Sequence, residues 1–162
     1  MSVAVQQADF DAGAEIAALS AGRADVGAVA SFVGLVRADK ADDAAVLAGT
    51  VRAMTLEHYP GMTEQALEEI VADAGRRWSL LAVRVIHRVG RLLPGDRIVF
   101  VGVASAHRGD AFAACEFIMD YLKTRAPFWK KEETGDGGRW VDARESDDRA
   151  AQRWEGAESK NG

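Results

Sequence analysis

The sequence has few of the residues that build covalent or metal-linked sites. Cys115 is the single cysteine among 162 residues, so neither an intrachain disulfide nor a cysteine-based zinc cluster can form. His58 and His87 have no partner at metal-ligand spacing, so no metal site is predicted. No apolar run approaches the roughly 18 residues of a membrane span, and the first residues lack the pattern of a signal peptide. We therefore expect a protein of a reducing, cytoplasmic compartment.

The chain also lacks an excess of positive charge and the common phosphate-loop or nucleophile motifs. Its 20 lysines and arginines are outnumbered by 25 acidic residues, and the pI of about 5.2 argues against general nucleic-acid binding. It contains no Gly-x-Gly-x-x-Gly loop, no Gly-x-Ser-x-Gly elbow and no Walker sequence. The 162 residues suit one domain with a core of ordinary size.

Apolar periodicity predicts alternating helices and strands. Helices are expected at 11–21, at 62–78 and from 110 to the break at Pro127, and strands at 26–37, 47–58, 81–90 and 97–105. The last strand is almost wholly apolar, which predicts a central position with both faces buried. In the third helix Asp110 is the predicted N-cap. One apolar stripe of this helix is expected to comprise Phe112, Cys115, Met119 and Leu122.

A cationic run stands out from the acidic background between His107 and Glu133. His107 and Arg108 lie between the predicted central strand and the third helix. The N-terminus of a helix has unpaired N–H groups and positive partial charge, so this junction suits an anion such as a phosphate. Simple solvation of a surface loop explains the same two residues equally well.

The lysines at the other end of this run have two explanations. Lys123 is predicted near the end of the helix, where a cation is electrostatically favourable without any further role. Lys130 and Lys131 follow an aromatic pair and could line an apolar pocket with Lys123. A partly desolvated lysine can act as an acid, a base or a nucleophile near neutral pH. The spacing alone favours the structural explanation, and single-stranded nucleic acid is a minor alternative.

Six segments, read in order, resemble the MoaE family, the large catalytic subunit of molybdopterin synthase. They are SFVGLVR, LEHYPGMTE, VIHRVGRLLPGD, VFVGVASAHR, FIMDYLKTRAPFWKKE and RWVDARESD. The resemblance implies an α+β fold of the α/β-hammerhead type, with a mixed or antiparallel sheet and packed helices in a single domain. It covers residues 26–154. Residues 1–25 are expected to form a segment with a short helix, and residues 155–162 a disordered tail.

The resemblance implies a sulfurtransferase of molybdenum cofactor biosynthesis. Sulfur would pass from the Gly-Gly thiocarboxylate of a small ubiquitin-like partner to cyclic pyranopterin monophosphate, forming the dithiolene of molybdopterin. Two partners would flank a homodimer core, giving a heterotetramer that needs no metal or dissociable cofactor. Both reactants are anionic, so an acidic protein must build local positive potential to hold them together. Because the partner supplies the sulfur, Cys115 need not react.

The family pattern also assigns the site. Lys123 and Lys130 match its catalytic lysines. Substrate contacts are implied for Arg37, His107, Arg108, Lys131 and Glu132, and for Arg144 reaching in from the neighbouring subunit. Many relatives carry a lysine where this chain has Leu35, so Leu35 is left out of the site. Gly109 and Asp110 place an acid beside the expected phosphate.

Two hypotheses compete with the enzyme: a noncovalent binder of a phospho-metabolite, and an inactive docking module for a ubiquitin-like tail. A binder needs only charge at Lys123 and Lys130, whereas a catalyst needs an amine, so arginine should substitute only in a binder. The helix would separate Lys123 from Asp110 by roughly 20 Å. A site that uses both ends of this helix is therefore predicted to combine two chains of a two-fold dimer.

Overall fold

The computed structural model describes residues 1–38, 53–134, 137–141 and 145–155, with side chains excluded for 134 and 137–147. It contains, in chain order, β1 (Ser2–Gln6), α1 (Ala12–Ser20), β2 (Ala28–Leu35), β3 (Ala53–His58), α2 (Met62–Arg77), β4 (Ala82–Arg88), β5 (Gly90–Leu92), β6 (Arg97–Ser105), α3 (Arg108–Arg125), β7 (Phe128–Thr134), β8 (Gly137–Val141) and α4 (Glu145–Glu155).

The first sheet has the order β1-β4-β6-β2. β6 pairs antiparallel with both β4 and β2, and β1 pairs parallel with β4 at the edge. β6 is buried from Val99 to Ser105. The expected central strand is thus confirmed, because a strand flanked by strands and covered on both faces must be apolar throughout.

Helices cover both faces of this sheet. On one face α2 and α3 bury Leu67, Ile70, Phe117 and Ile118 against the sheet. On the other face, Leu19 of α1 and Phe10, two residues before this helix, are buried in one cluster with Phe100. These layers confirm the expected α+β class with mixed and antiparallel sheets in one domain.

The second sheet is antiparallel and has the order β5-β3-β7-β8. β4 of the first sheet leads into β5 of the second through Val89 and Gly90. Gly90 has a φ of 89°, in the left-handed region that glycine adopts at little cost. This glycine therefore lets one stretch of chain turn from one sheet into the other.

The C-terminal helix docks on α3 through a partly buried aromatic cluster. The Trp154 indole donates to Asp120 at 2.7 Å, as does Arg153 at 2.7 Å. The Trp154 ring packs edge-on against Trp78 and Phe117. The polar segment that contains Trp154 is thereby fixed to the domain.

Several expectations need correction. α3 begins at Arg108 with His107 as its N-cap, so Asp110 lies in the first turn, where its charge favours the helix dipole. Phe112 is 66% exposed and does not belong to the buried stripe, whereas Cys115, Met119 and Leu122 do. β1, β5, β7, β8 and α4 were not predicted. β7 contains four charged residues in seven, and its strand conformation comes from pairing. The described residues do not include 39–52, where the predicted second strand starts, or 156–162.

Candidate functional site

The candidate residues divide between the two ends of α3. Fifteen residues separate Arg108 from Lys123, which is about 22 Å along an α-helix. α3 folds back along β6, with the Cys115 thiol 3.8 Å from the Val101 carbonyl oxygen near the middle of both elements. Lys123 therefore lies where β6 begins, and His107 and Arg108 lie where β6 ends.

The lysine end of α3 meets one face of the second sheet. Cross-strand pairs place Phe128 opposite His58, Lys130 opposite Leu56, and Glu132 opposite Met54. Side chains of directly paired residues share a face, and Leu56 and Met54 are buried, so this face is turned into the protein. Lys130 and Glu132, two residues apart, form an ion pair of 3.2 Å, with side chains 32% and 15% exposed.

A buried imidazole joins this face to the first sheet. The His87 ring of β4 stacks on Phe128 at a centroid distance of 3.8 Å and is 5% exposed. The pKa of His87 is lowered to about 4, chiefly by burial; the hydrogen bond to the Arg88 carbonyl oxygen acts in the opposite direction, and the charges of Lys123 and His58 add smaller decreases. Lys130 lies two residues beyond Phe128 on the same face of β7, and Lys123, at the end of α3, is near enough for its charge to lower the pKa of His87, so both lysines lie on the side of the molecule where His87 stacks on Phe128.

The start of α2 holds the connection between the two lysines. The Thr63 hydroxyl, fully buried, donates to the Pro127 carbonyl oxygen at 3.1 Å and accepts from the Tyr59 amide at 3.2 Å. Pro127 lies between α3 and β7. The hydroxyl therefore fixes the short connection that orients Lys123 relative to Lys130.

Arg37 lies at the lysine end. Val36 donates to the Asp96 carbonyl oxygen at 2.9 Å and accepts from the Gly95 amide at 2.8 Å. β6 begins at Arg97, so these bonds hold Arg37 beside the start of the central strand. The Arg37 side chain is exposed there.

The Lys131 side chain does not lie on the same face of the sheet as that of Lys130. It pairs with Thr55 and occupies the opposite face of the second sheet. On that face Arg91 bonds Glu133 at 3.3 Å, and Trp129 meets Tyr59 edge-on at 4.0 Å. The expected contact of Lys131 with substrate therefore needs a ligand or subunit that reaches this second face.

His107 and Arg108 are exposed at the N-terminus of α3. The His107 amide donates to the Ser105 hydroxyl at 3.4 Å, and that hydroxyl donates to the Ser79 carbonyl oxygen at 2.8 Å. The structure keeps these two cations together but apart from the lysines of the same chain. Arg144 lies outside the described residues.

Three contributors to the site were not found by sequence reasoning: His87, Phe128 and Thr63. For His87 a signal existed, because it is a titratable residue between apolar neighbours in a predicted buried strand. Phe128 belongs to the aromatic pair before Lys130, which suggested an apolar pocket but not a stack on His87. Thr63 gave no signal, since its role depends on contacts across the fold.

Within the residues that the structure describes, no three His, Cys, Asp or Glu side chains lie close enough to hold a metal ion. In the same part of the chain, every helix is too short or too polar to cross a bilayer.

The buried His87 predicts a loss of stability in acid. Its pKa is 6.5 in the unfolded chain and about 4 in the folded one, so the unfolded state binds more protons between these values. The contribution of neutral His87 to the free energy of unfolding is fully present above pH 6.5. It decreases as the pH falls toward 4, by about 3 kcal/mol in total. Urea unfolding between pH 4.5 and 7.5 measures this slope.

His87→Phe is the matched comparison, because it keeps an aromatic ring against Phe128 and removes the titrating group. We expect its free energy of unfolding to depend less on pH than that of the wild type. Parallel curves for the two proteins would show that His87 is not the group responsible.

The comparisons with known proteins agree on one family. The family model described as MoaE protein matches residues 5–125. The chain is 63% identical over 153 residues to a molybdopterin synthase catalytic subunit from Ralstonia nicotianae, covering 94% of this chain and 84% of that protein. The chain belongs to the MoaE family.

Other relatives support the same assignment. A molybdopterin synthase catalytic subunit from Pseudomonas aeruginosa is 59% identical and covers 96% of this chain and 99% of its own length. The solved structure of a MoaE protein from Burkholderia ambifaria has a TM-score of 0.78 at 59% identity, covering 95% of this chain and 97% of that one. A molybdopterin synthase structure from Staphylococcus aureus has a TM-score of 0.75 at 27% identity, covering 85% and 94%. The resemblance to molybdopterin synthase catalytic subunits is confirmed, and with it a role in molybdopterin biosynthesis.

Proposed function

We propose that this MoaE chain is a sulfurtransferase that uses Lys123 and Lys130 as its catalytic residues. It transfers sulfur from the thiocarboxylated C-terminus of a small ubiquitin-like partner to cyclic pyranopterin monophosphate, forming the dithiolene. The observation that carries this proposal is the placement of the two lysines, from α3 and β7, on the side of the molecule where the buried His87 ring stacks on Phe128. Two amines near one another can divide nucleophilic attack and proton transfer between them.

Charge near the lysines supports the same chemistry. Lys123, Lys130 and Arg37 place three cations at one end of the molecule, while the whole chain carries a formal charge of −5. A thiocarboxylate and a phosphate repel one another, so a local cationic surface is needed to bring them into contact. Glu132, paired with Lys130, fixes the position of one of these cations.

His107 and Arg108 complete the site from a second copy of the chain in this proposal. They lie about 22 Å from Lys123 in their own chain, too far for one small pterin to contact both ends. A two-fold dimer can place the N-terminus of one α3 beside the C-terminus of the other. Arg144 and Lys131 are assigned to substrate contacts as well, Arg144 across the same dimer.

The proposed assembly is a homodimer of this chain with two small partners, a heterotetramer of the cytoplasm. A Gly-Gly tail has no side chains to clash, so it can enter a narrow channel toward Lys123. The S. aureus relative is a molybdopterin synthase, which supports an assembly of this kind.

Reconstitution from purified components tests the proposal. The dimer, a thiocarboxylated small partner and cyclic pyranopterin monophosphate are mixed, and dithiolene formation is followed with time. The expected result is product only when all three are present. An unmodified partner ending in a carboxylate is the control. Product formation with that control, or none with the thiocarboxylate, would contradict sulfur transfer.

Cys115 provides a separate check on the route of the sulfur. Burial, followed by the charge of Glu116, raises the pKa of the Cys115 thiol to about 11, so little thiolate exists at neutral pH. We expect Cys115→Ala to keep wild-type turnover and to lose about 1 kcal/mol of stability through packing. Steady-state assay and urea unfolding measure the two effects. A folded but inactive Cys115→Ala protein would show that sulfur passes through this thiol.

A further inference from the structure

Thr63, in the first turn of α2, is a fully buried polar side chain to which the proposed chemistry gives no role. Its hydroxyl has two hydrogen-bond partners, and both lie outside the helix. It accepts from the Tyr59 amide at 3.2 Å and donates its hydrogen to the Pro127 carbonyl oxygen, which can only accept, at 3.1 Å. Valine has the same shape without a polar atom to bury, so these two bonds account for a hydroxyl at this position.

The start of α2 has other groups that satisfy its backbone. The amide of Gly61, the N-cap, donates to the Glu64 carboxylate at 2.7 Å, and the Gly61 carbonyl oxygen accepts from Gln65 at 3.0 Å. The Thr63 amide donates to the Tyr59 carbonyl oxygen at 2.9 Å. What the Thr63 hydroxyl adds is a bond between residues 64 positions apart, from α2 to the segment that follows α3.

Pro127 belongs to the connection between the two proposed catalytic lysines, Lys123 of α3 and Lys130 of β7. We call the side of the molecule on which both lysines lie the lysine junction. The connection consists of Ala126 and Pro127. Proline has no N–H, so its carbonyl oxygen is its one backbone group for a hydrogen bond. The bond from Thr63 to this oxygen therefore ties the connection to α2.

The turn between β3 and α2 also contacts the start of β7. His58, the last residue of β3, pairs with Phe128, the first residue of β7. The Tyr59 ring meets the Trp129 ring edge-on at a centroid distance of 4.0 Å. The bond from Thr63 to the connection therefore belongs to a set of contacts by which one turn fixes where β7 begins.

We propose that Thr63 is a positioning residue for sulfur transfer, whose hydroxyl sets the spacing of Lys123 and Lys130 by holding Pro127. This proposal rests on the proposed function of the two lysines. Loss of the hydroxyl leaves the Pro127 oxygen without its donor, so the connection can shift until this oxygen finds another partner. Misplacement of a catalytic group by about 1 Å can cost about 100-fold in rate, so even a small shift should be measurable.

Two substitutions separate the hydroxyl from the shape of the side chain. Thr63→Val keeps the shape and loses the hydroxyl, whereas Thr63→Ser keeps the hydroxyl and loses a methyl group. We expect kcat for dithiolene formation to fall about 10-fold in Thr63→Val, with KM for cyclic pyranopterin monophosphate nearly unchanged, and Thr63→Ser to stay within about twofold of wild type. If Thr63 only fills space, the order is reversed, and a serine variant slower than the valine variant would overturn the proposal.

Val71→Ala is the matched control for destabilisation. Val71 is 4% exposed in the same helix and belongs to the hydrophobic core. Its truncation should lower the urea midpoint, as Thr63→Val does, but keep the wild-type kcat. A loss of turnover as large as that of Thr63→Val would show that destabilisation alone is responsible, and would overturn the proposal. Thr63→Ala, which adds no methyl group near the two freed partners, takes the place of Thr63→Val if the valine protein does not fold.

Hydrogen exchange reports on the same contact without sulfur transfer. The Tyr59 amide loses its acceptor in Thr63→Val and keeps it in Thr63→Ser. We expect this amide to exchange at least about 10-fold faster in the valine variant and at the wild-type rate in the serine variant. Unchanged exchange in Thr63→Val would overturn the proposal, as would wild-type turnover of Thr63→Val beside an inactive Lys123→Ala protein. Failure of the proposed function would appear separately, as an active Lys123→Ala protein.

Discussion

Lys123→Ala is expected to abolish sulfur transfer while leaving the fold intact. Positioned proton transfer contributes typically 100- to 10,000-fold, so turnover should fall by at least about 100-fold. Lys123 is exposed near the end of α3, so its loss should change the free energy of unfolding by only about 0.5 kcal/mol. Single-turnover dithiolene formation and urea unfolding measure these two effects.

Lys123→Arg separates an enzyme from a binder. Arginine keeps the charge but stays protonated, so it can hold an anion and cannot act as a nucleophile or exchange a proton near neutral pH. We therefore expect Lys123→Arg to be as inactive as the alanine variant. Wild-type turnover in the arginine variant would favour a purely electrostatic role.

Arg125→Ala is the matched control for charge at this end of the helix. Arg125 pairs with Asp73 of α2 at 3.3 Å and lies over the Tyr121 ring, on a different side from the lysine junction. Its removal also takes one cation from the last turn of α3. We expect its turnover to stay close to wild type, and a loss as large as that of Lys123→Ala would point to helix-end charge as the cause.

Mixed dimers of Lys123→Ala and Arg108→Ala chains are expected to regain activity that neither homodimer has. If each site combines the Arg108 end of one chain with the Lys123 end of the other, a heterodimer has both lesions in one site and none in the other. By symmetry such a heterodimer should reach up to about half of the wild-type rate. Differently tagged chains, co-expressed and purified through both tags, allow the measurement.

The pair Lys123→Ala and Lys130→Ala controls this experiment. Both lysines lie at the same end of one chain, so every site of their heterodimer lacks one of them. This mixture should stay inactive. Recovery in the control pair, or none in the Arg108 pair, would show that the site is divided between chains in some other way.

The sequence predicted the parts of the fold that depend on local pattern. The apolar run of β6 indicated a doubly buried strand, and the spacing of Leu67, Ile70 and Val71 indicated α2. β7 could not be predicted, because four of its seven residues are charged and its conformation comes from pairing with β3. Phe112 has the spacing of a buried position in α3, but the structure shows it exposed. No element among the described residues covers that side of the helix.

The sequence named candidate residues for the site but did not show how they are arranged. The resemblance to MoaE identified Lys123 and Lys130 as candidate residues. The geometry of an α-helix predicted the distance between Lys123 and the start of the helix near Arg108. The sequence does not show that Lys130 and Lys131 face opposite ways, because that follows from the register of β7 on β3. The sequence also does not show that His87 lies near the lysines, because this placement depends on the turn of the chain from the first sheet into the second.

The connection between α3 and β7 consists of Ala126 and Pro127 alone. A strand presents alternate residues to opposite sides, so one residue added here would turn Lys130 outward and present Trp129 or Lys131 to the His87 side instead. We therefore expect selection to act on the length of the connection as well as on the lysines. Along the lineage, insertions and deletions should be rarer in these two positions than amino-acid exchanges, even though neither residue takes part in the chemistry.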